Sequence, residues 1–201
     1  MLEYILIGGG FAFAAAVQPG PLQAFLLSRV AAAGWRRTLP AAFAPVISDG
    51  PIAVLMLTLL HQVARGFENI LRGAGGVVLL YFAVRTFLDW RRAKAGIEQE
   101  SPSSPRTLFQ AVGVNFINPG PWIGWSFILG PQALRAWSEG PIYAVALVVS
   151  FYVVIVVSLM LFIMLVGTSS FLGPRGRRGL LLAASIVLVG IAVWSFLSIS
   201  F

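Results

Sequence analysis

The sequence contains no cysteine and a single histidine, His61. Disulfides, thiolate metal sites and thiol redox chemistry are therefore excluded, and one imidazole cannot make a zinc cluster. Charge is scarce as well: only 10% of the 201 residues are charged and seven are acidic, where an average globular chain is roughly a quarter charged. No nucleophile is paired with a base, since His61 falls at an expected helix end. No phosphate-loop pattern occurs, and Gly73-Ala74-Gly75-Gly76 lacks the spacing of a dinucleotide fingerprint. An enzyme is the least supported reading, and no cofactor is called for.

What the chain has in quantity is apolar surface. Hydrophobic residues make up 58% of it, close to the demand of six membrane spans of roughly 20 residues each, and more than a soluble fold of this size could hide. The fold class expected is all-α integral membrane. An ionised group at mid-bilayer costs roughly 2.5 to 3.5 kcal/mol on insertion scales, so stretches without charge mark the spans. Residues 4–28, 107–134, 141–174 and 179–201 carry no charge, and 38–60 carries only Asp49. The sixth stretch, 69–88, holds Arg72 and Arg85 near its ends, where long side chains reach the headgroups. The first run has no Lys or Arg before Arg29, so the positive start of a cleavable signal peptide is missing and the run is expected to be retained.

The loops test this count, because short cytoplasmic loops collect Lys and Arg. The first, third and fifth connections hold Arg29, Arg36 and Arg37, then Arg85, Arg91, Arg92, Lys94 and Arg106, then Arg175, Arg177 and Arg178. The second and fourth hold only Arg65, Arg72 and Arg135. This asymmetry predicts that both termini lie outside the cytoplasm, and it accounts for the net charge of +7 without a nucleic-acid partner. Residues 94–106, with Glu98, Glu100 and the Ser-Pro-Ser-Ser-Pro run ending at Pro105, read as a flexible cytoplasmic linker. It separates a first three-helix repeat, 1–93, from a second, 107–201. Laid over one another 100 residues apart, the halves align Gln18-Pro19-Gly20-Pro21 with Asn118-Pro119-Gly120-Pro121, each in the middle of a leading helix. An odd number of spans per half makes the repeats inverted, the pattern of secondary transporters whose sites lie where helices are interrupted at the midplane.

Proline lacks an N–H and clashes with the carbonyl four residues back, so Pro19 and Pro21 should free the carbonyls of Ala15 and Val17, and Pro119 and Pro121 those of Asn115 and Ile117. Broken backbone at that depth is tolerated only inside protein or along a wet cavity. The segments restarting at Gly20 and Gly120 present N–H groups and a positive dipole end suited to a carboxylate. The N–H groups near Gly20, Leu22, Gln23, Gly120 and Trp122 are candidates for that contact, with Gln18 and Asn118 adding side-chain amides. Asp49 stands at the centre of its stretch, flanked by Pro45, Ser48, Gly50 and Pro51. An intramembrane carboxylate is by default a substrate, ion or proton partner, the bland alternative being a structural acid paired with Arg72 or Arg85. Trp122 and Trp125 fall near mid-membrane, as pocket wall or as helix packing in equal measure. Gly8–Gly10, Ala12, Ala14–Ala16 and Gly73–Gly76 read as close helix contacts, which would also allow a homodimer.

Pro19-Gly20-Pro21, Gly34, Asp49-Gly50 and Asn118-Pro119 together resemble the lysine exporter (LysE/RhtB) family of bacterial inner-membrane amino-acid exporters. The resemblance covers nearly the whole chain and implies cofactor-free, multi-pass export of amino acids or related zwitterions, driven by the proton or membrane-potential gradient. Gly120 stands where that family often has lysine, and Ala42 and Pro45 where it has glycine. An alternating-access exporter is thus the leading expectation, with Asp49 as coupling residue. The alternatives are a divalent metal-cation exporter, for which one acid is a poor ligand set, and a non-transporting membrane scaffold.

Overall fold

The computed structural model describes residues 1–18, 20–59, 65–94, 104–168 and 174–197. Pro19, His61 and residues 95–103 of the expected linker fall outside that set. All regular structure in the described residues is helical. The elements are α1 (Leu2–Val17), α2 (Pro21–Ala33), α3 (Trp35–Thr38), a 3-10 segment (Leu39–Phe43), α4 (Ala44–Leu59), α5 (Arg65–Lys94), α6 (Ser104–Ile117), α7 (Pro119–Gly124), a π-helical segment (Trp125–Leu129), α8 (Gly130–Glu139), α9 (Pro141–Thr168) and α10 (Pro174–Leu197). Trp35–Thr58 and Pro141–Thr168 are each long and apolar enough to cross a bilayer, with mean hydropathy 1.6 and 2.9. Leu2–Val17 and Pro21–Ala33 make a third candidate, bent by 57°.

Small residues set the closest packing. α1 lies along α9, where Gly8 leaves no room for a side chain against the backbone of Leu147, and a methyl group at Gly9 would come within 3.3 Å of Val154. Gly167 of α9 is filled in the same way by the Trp35 side chain. These contacts match the role expected for small-residue stretches in membrane helices. Along α9 the buried positions are Leu147, Phe151, Ile155, Leu159 and Ile163, four residues apart, while Val145, Val149, Val153, Val157, Leu161 and Leu165 are exposed. A helix apolar on every face with only one face covered by protein is what lipid contact requires.

Charged groups gather at the ends. Glu3 of α1 lies 4.0 Å from Arg135 of α8, which is 3.2 Å from Glu139, and the Tyr4 ring lies tilted 5.9 Å from that of Tyr143. Elsewhere Arg29 of α2 lies in the field of Asp89 and Arg85 of α5 and Arg106 of α6. Arg29 departs from the sequence expectation: it is not in a connection but inside α2, 6% exposed, its guanidinium 5.3 Å over the Phe25 ring. Its long apolar stem permits this, since the stem packs inside the protein while the guanidinium lies over the Phe25 ring. The turn falls later, at Gly34, whose φ of 82° suits glycine. At the two edges of the expected linker, Lys94 closes α5 and Ser104–Arg106 open α6, whose first turn accepts Pro105.

Candidate functional site

Both interruptions occur where proline removes the helical donors. α1 ends with the Gln18 N–H on the Ala14 carbonyl at 3.0 Å, and the next two carbonyls, Ala15 and Ala16, accept instead from Gln23 Nε2 at 3.0 and 3.1 Å. A side chain eight residues ahead thus replaces the backbone partners lost at the break. α2 then restarts behind Gly20 in extended conformation, with Pro21 in the first turn and no side-chain cap. In the second half, the Asn118 N–H reaches Val114 and Asn115 at 3.0 and 3.2 Å, the Trp122 indole N–H donates to the Phe116 carbonyl at 2.7 Å, and the Asn118 side chain accepts from the Gly120 N–H at 3.1 Å. Ala16 and Phe116 are equivalent under the 100-residue offset, so different donors fulfil the same duty.

Asp49 lies in α4 at 3% exposure, two residues before the internal Pro51. Asn115 of α6 donates through Nδ2 to Asp49 Oδ1 and to Ser48 Oγ, both at 2.7 Å, and the Ser48 hydroxyl lies 3.2 Å from the same Oδ1 and 2.9 Å from the Ala44 carbonyl. The Asn115 and Ser48 contacts with the carboxyl both fall on Oδ1, and Asp49 lines a cavity. No arginine is paired with Asp49 among the described residues; Arg85 lies 6.0 Å over the Tyr81 ring. The acid is therefore held by neutral donors, and Asn115 ties the second half of the chain to the first.

The cavity has a volume of about 290 Å³. Gln18, Gly20, Pro21 and Gln23 line it from the first break, Asn118, Pro119 and Gly120 from the second, and Asp49, Asn115 and Trp125 from between. Trp122, committed to the Phe116 carbonyl, does not line it, and Pro19 is outside the described residues. The Trp125 indole stands edge-on to Phe151 at 5.6 Å, and Phe11 stacks on Phe151 at 6.3 Å. Phe11 approaches closely because Gly124 has no side chain: a methyl there would come within 2.8 Å of its ring. Ile155 and Leu159 continue the wall along α9.

Sequence reasoning missed Phe151, Ile155 and Leu159, whose only signal was the four-residue spacing on α9, and Phe11 of α1, which carried none. It also missed the π-helical turn, in which the Gly130 N–H reaches back five residues to the Trp125 carbonyl. Pro131, one step on, cannot donate to Phe127, a reason for the widened register. Trp125 begins that turn.

Among the described residues no three His, Cys, Asp or Glu side chains come together. The arrangement is instead that of a binding chamber: one acid, two helix breaks and apolar walls, inside a helical protein with bilayer-length apolar helices. Those features define a membrane transport protein. The family described as LysE type translocator matches residues 13–199, most of the chain, and the protein belongs to that family. The likeness carried by Pro19-Gly20-Pro21, Asp49-Gly50 and Asn118-Pro119 is thereby confirmed. No curated protein and no solved structure was found to match the chain.

Proposed function

We propose that the protein is a secondary exporter of amino acids or related small zwitterions across the bacterial inner membrane, coupled to protons by alternating access. One observation carries this reading: the single acid of the charge-poor stretches lines a cavity at which both helix breaks converge. In this proposal six spans form two inverted three-helix repeats, 1–93 and 107–201, joined by the 94–106 linker, with both termini outside the cytoplasm. The topology is supported by the charge asymmetry of the loops and by the meeting of the α1 start with α8.

The coupling follows from the chemistry of Asp49. A carboxylate held by neutral donors on one oxygen can accept a proton or an ammonium group on the other, but not both. Protonation from outside displaces the amine, and loss of the proton to the cytoplasm readies the site for another substrate. The uncapped first-turn N–H groups of α2, at Leu22 and Gln23, are assigned to the substrate carboxylate. The test is a screen of labelled amino acids for flux through the purified protein in liposomes under an imposed pH gradient. Amino-acid flux that collapses with the gradient is expected; no flux of any amino acid, or flux indifferent to the gradient, rejects the proposal.

A further inference from the structure

The chemistry of the cavity wall narrows the substrate beyond an amino acid in general, and this step rests on the exporter reading above. Among the described residues Asp49 is the only charged one lining the chamber. Along the sequence, 4–28, 38–60, 107–134 and 141–174 contain no Lys, Arg or His to balance a second negative group, and no further Asp or Glu to receive a second positive one. The other walls are uncharged: Phe11, Phe151, Ile155 and Leu159 are apolar, and Gln18 and Asn118 are neutral amides. At about 290 Å³ the chamber sits at the small end of the roughly 300 to 1,000 Å³ typical of ligand pockets, so it suits a solute of single-amino-acid size.

One donor is left over. The Trp125 indole N–H, in a residue only 2% exposed, is directed at the Asp49 carboxyl yet makes no hydrogen bond of regular geometry. A buried donor without a partner is costly and calls for an explanation, and this one lines the chamber with the uncapped start of α2. An α-amino acid carries its carboxylate one carbon from its ammonium, so an ammonium on Asp49 brings the carboxylate within reach of neighbouring donors.

We infer that the chamber selects α-amino acids with an uncharged, apolar side chain, the ammonium on Asp49, the carboxylate on the Trp125 indole N–H and the first turn of α2, and the side chain against Phe11, Phe151, Ile155 and Leu159. A second charge of either sign would be stripped of water against an apolar wall with no partner, which corresponds to about 100-fold weaker binding. An amine lacking the carboxylate forfeits a charge-assisted hydrogen bond, about tenfold.

The experiment measures direct binding of L-leucine, L-lysine, L-glutamate and 3-methylbutylamine to the purified wild-type protein, beside liposome flux of the same compounds. Leucine should bind tightest, with the amine about tenfold weaker and lysine and glutamate about 100-fold weaker. Trp125→Phe keeps the ring and removes the N–H; it should weaken leucine about tenfold and leave the amine unchanged, the amine serving as the check that the chamber is intact. Lysine or glutamate equal to leucine overturns the selectivity while sparing the export reading, if flux persists. Equal loss of leucine and amine in Trp125→Phe overturns the role of the N–H. Leucine binding in the expected order without any flux supports the selectivity and rejects export, and failure of leucine to bind overturns the inference.

Discussion

The two helix breaks start from nearly the same four residues and end differently. At the second, Asn118 closes on the Gly120 N–H, and Trp122 closes on the Phe116 carbonyl, so the break supplies its own partners. At the first, Gln23 satisfies the Ala15 and Ala16 carbonyls, but Gln18 is exposed and no side chain caps α2. The Ala15 and Ala16 carbonyls of the first break and the Asn115 and Phe116 carbonyls of the second thus have donors, whereas the start of α2 has no side-chain cap. The lesson is that an internal repeat can preserve a backbone device while dividing the work: the second break closes on its own partners, and the first keeps its donors open, as the proposed carboxylate contact requires. The opposite charge, Asp49, lies on α4 and is fixed by Asn115, three residues before the second break.

Substitutions can break or sharpen this contrast. The largest effect is expected from Asn115→Leu, which strips Asp49 and Ser48 of their shared donor and uncouples the halves. A buried acid left without that partner should cost about 3 kcal/mol in denaturant unfolding of the purified protein. A loss below about 1 kcal/mol would mean that Asn115 is not what fixes the acid. Gln23→Leu comes next, at about 2 kcal/mol, because the Ala15 and Ala16 carbonyls lose their donor together. Asn118→Ala should cost about 1 kcal/mol, the usual value of a helix cap. Should Asn118→Ala leave stability unchanged, the second break would not depend on its own cap and the contrast between the breaks would fail. Gly124→Ala is expected to be the mildest in stability. It pushes the Phe11 ring from its place, which should weaken binding of an apolar amino acid severalfold without touching Asp49.

The positions of Asp49, Asn118 and the paired Pro-Gly-Pro motifs were legible from sequence because each is anomalous in hydrocarbon: a charge, or a proline, announces itself against an apolar background. The walls were not legible for the converse reason. Phe151, Ile155 and Leu159 face the chamber while Val153, Val157 and Leu161 on the same helix are exposed, and both sets are equally apolar. Hydropathy contrast, which separates the faces of a soluble helix, vanishes when the outside solvent is lipid. The role of Gln23 was half-visible: its N–H was placed at the break, but its side chain turned back to the carbonyls that Pro19 and its neighbours free. Trp122 and Trp125 looked alike three residues apart, yet one bonds to Phe116 and the other lines the chamber, a division set by the π-helical turn. Arg29 looked like a loop residue because charge was taken as the end of a span, whereas its stem carries it inside α2.

The central claim is that proton and substrate take turns on Asp49. Its most direct test is proton movement recorded with a pH-sensitive dye in liposomes while a transported amino acid runs down its own gradient, in wild type and in Asp49→Asn. Wild-type protein should move protons opposite to the amino acid, and Asp49→Asn, although inserted and folded, should move none. Equal proton movement in the two proteins would contradict the account.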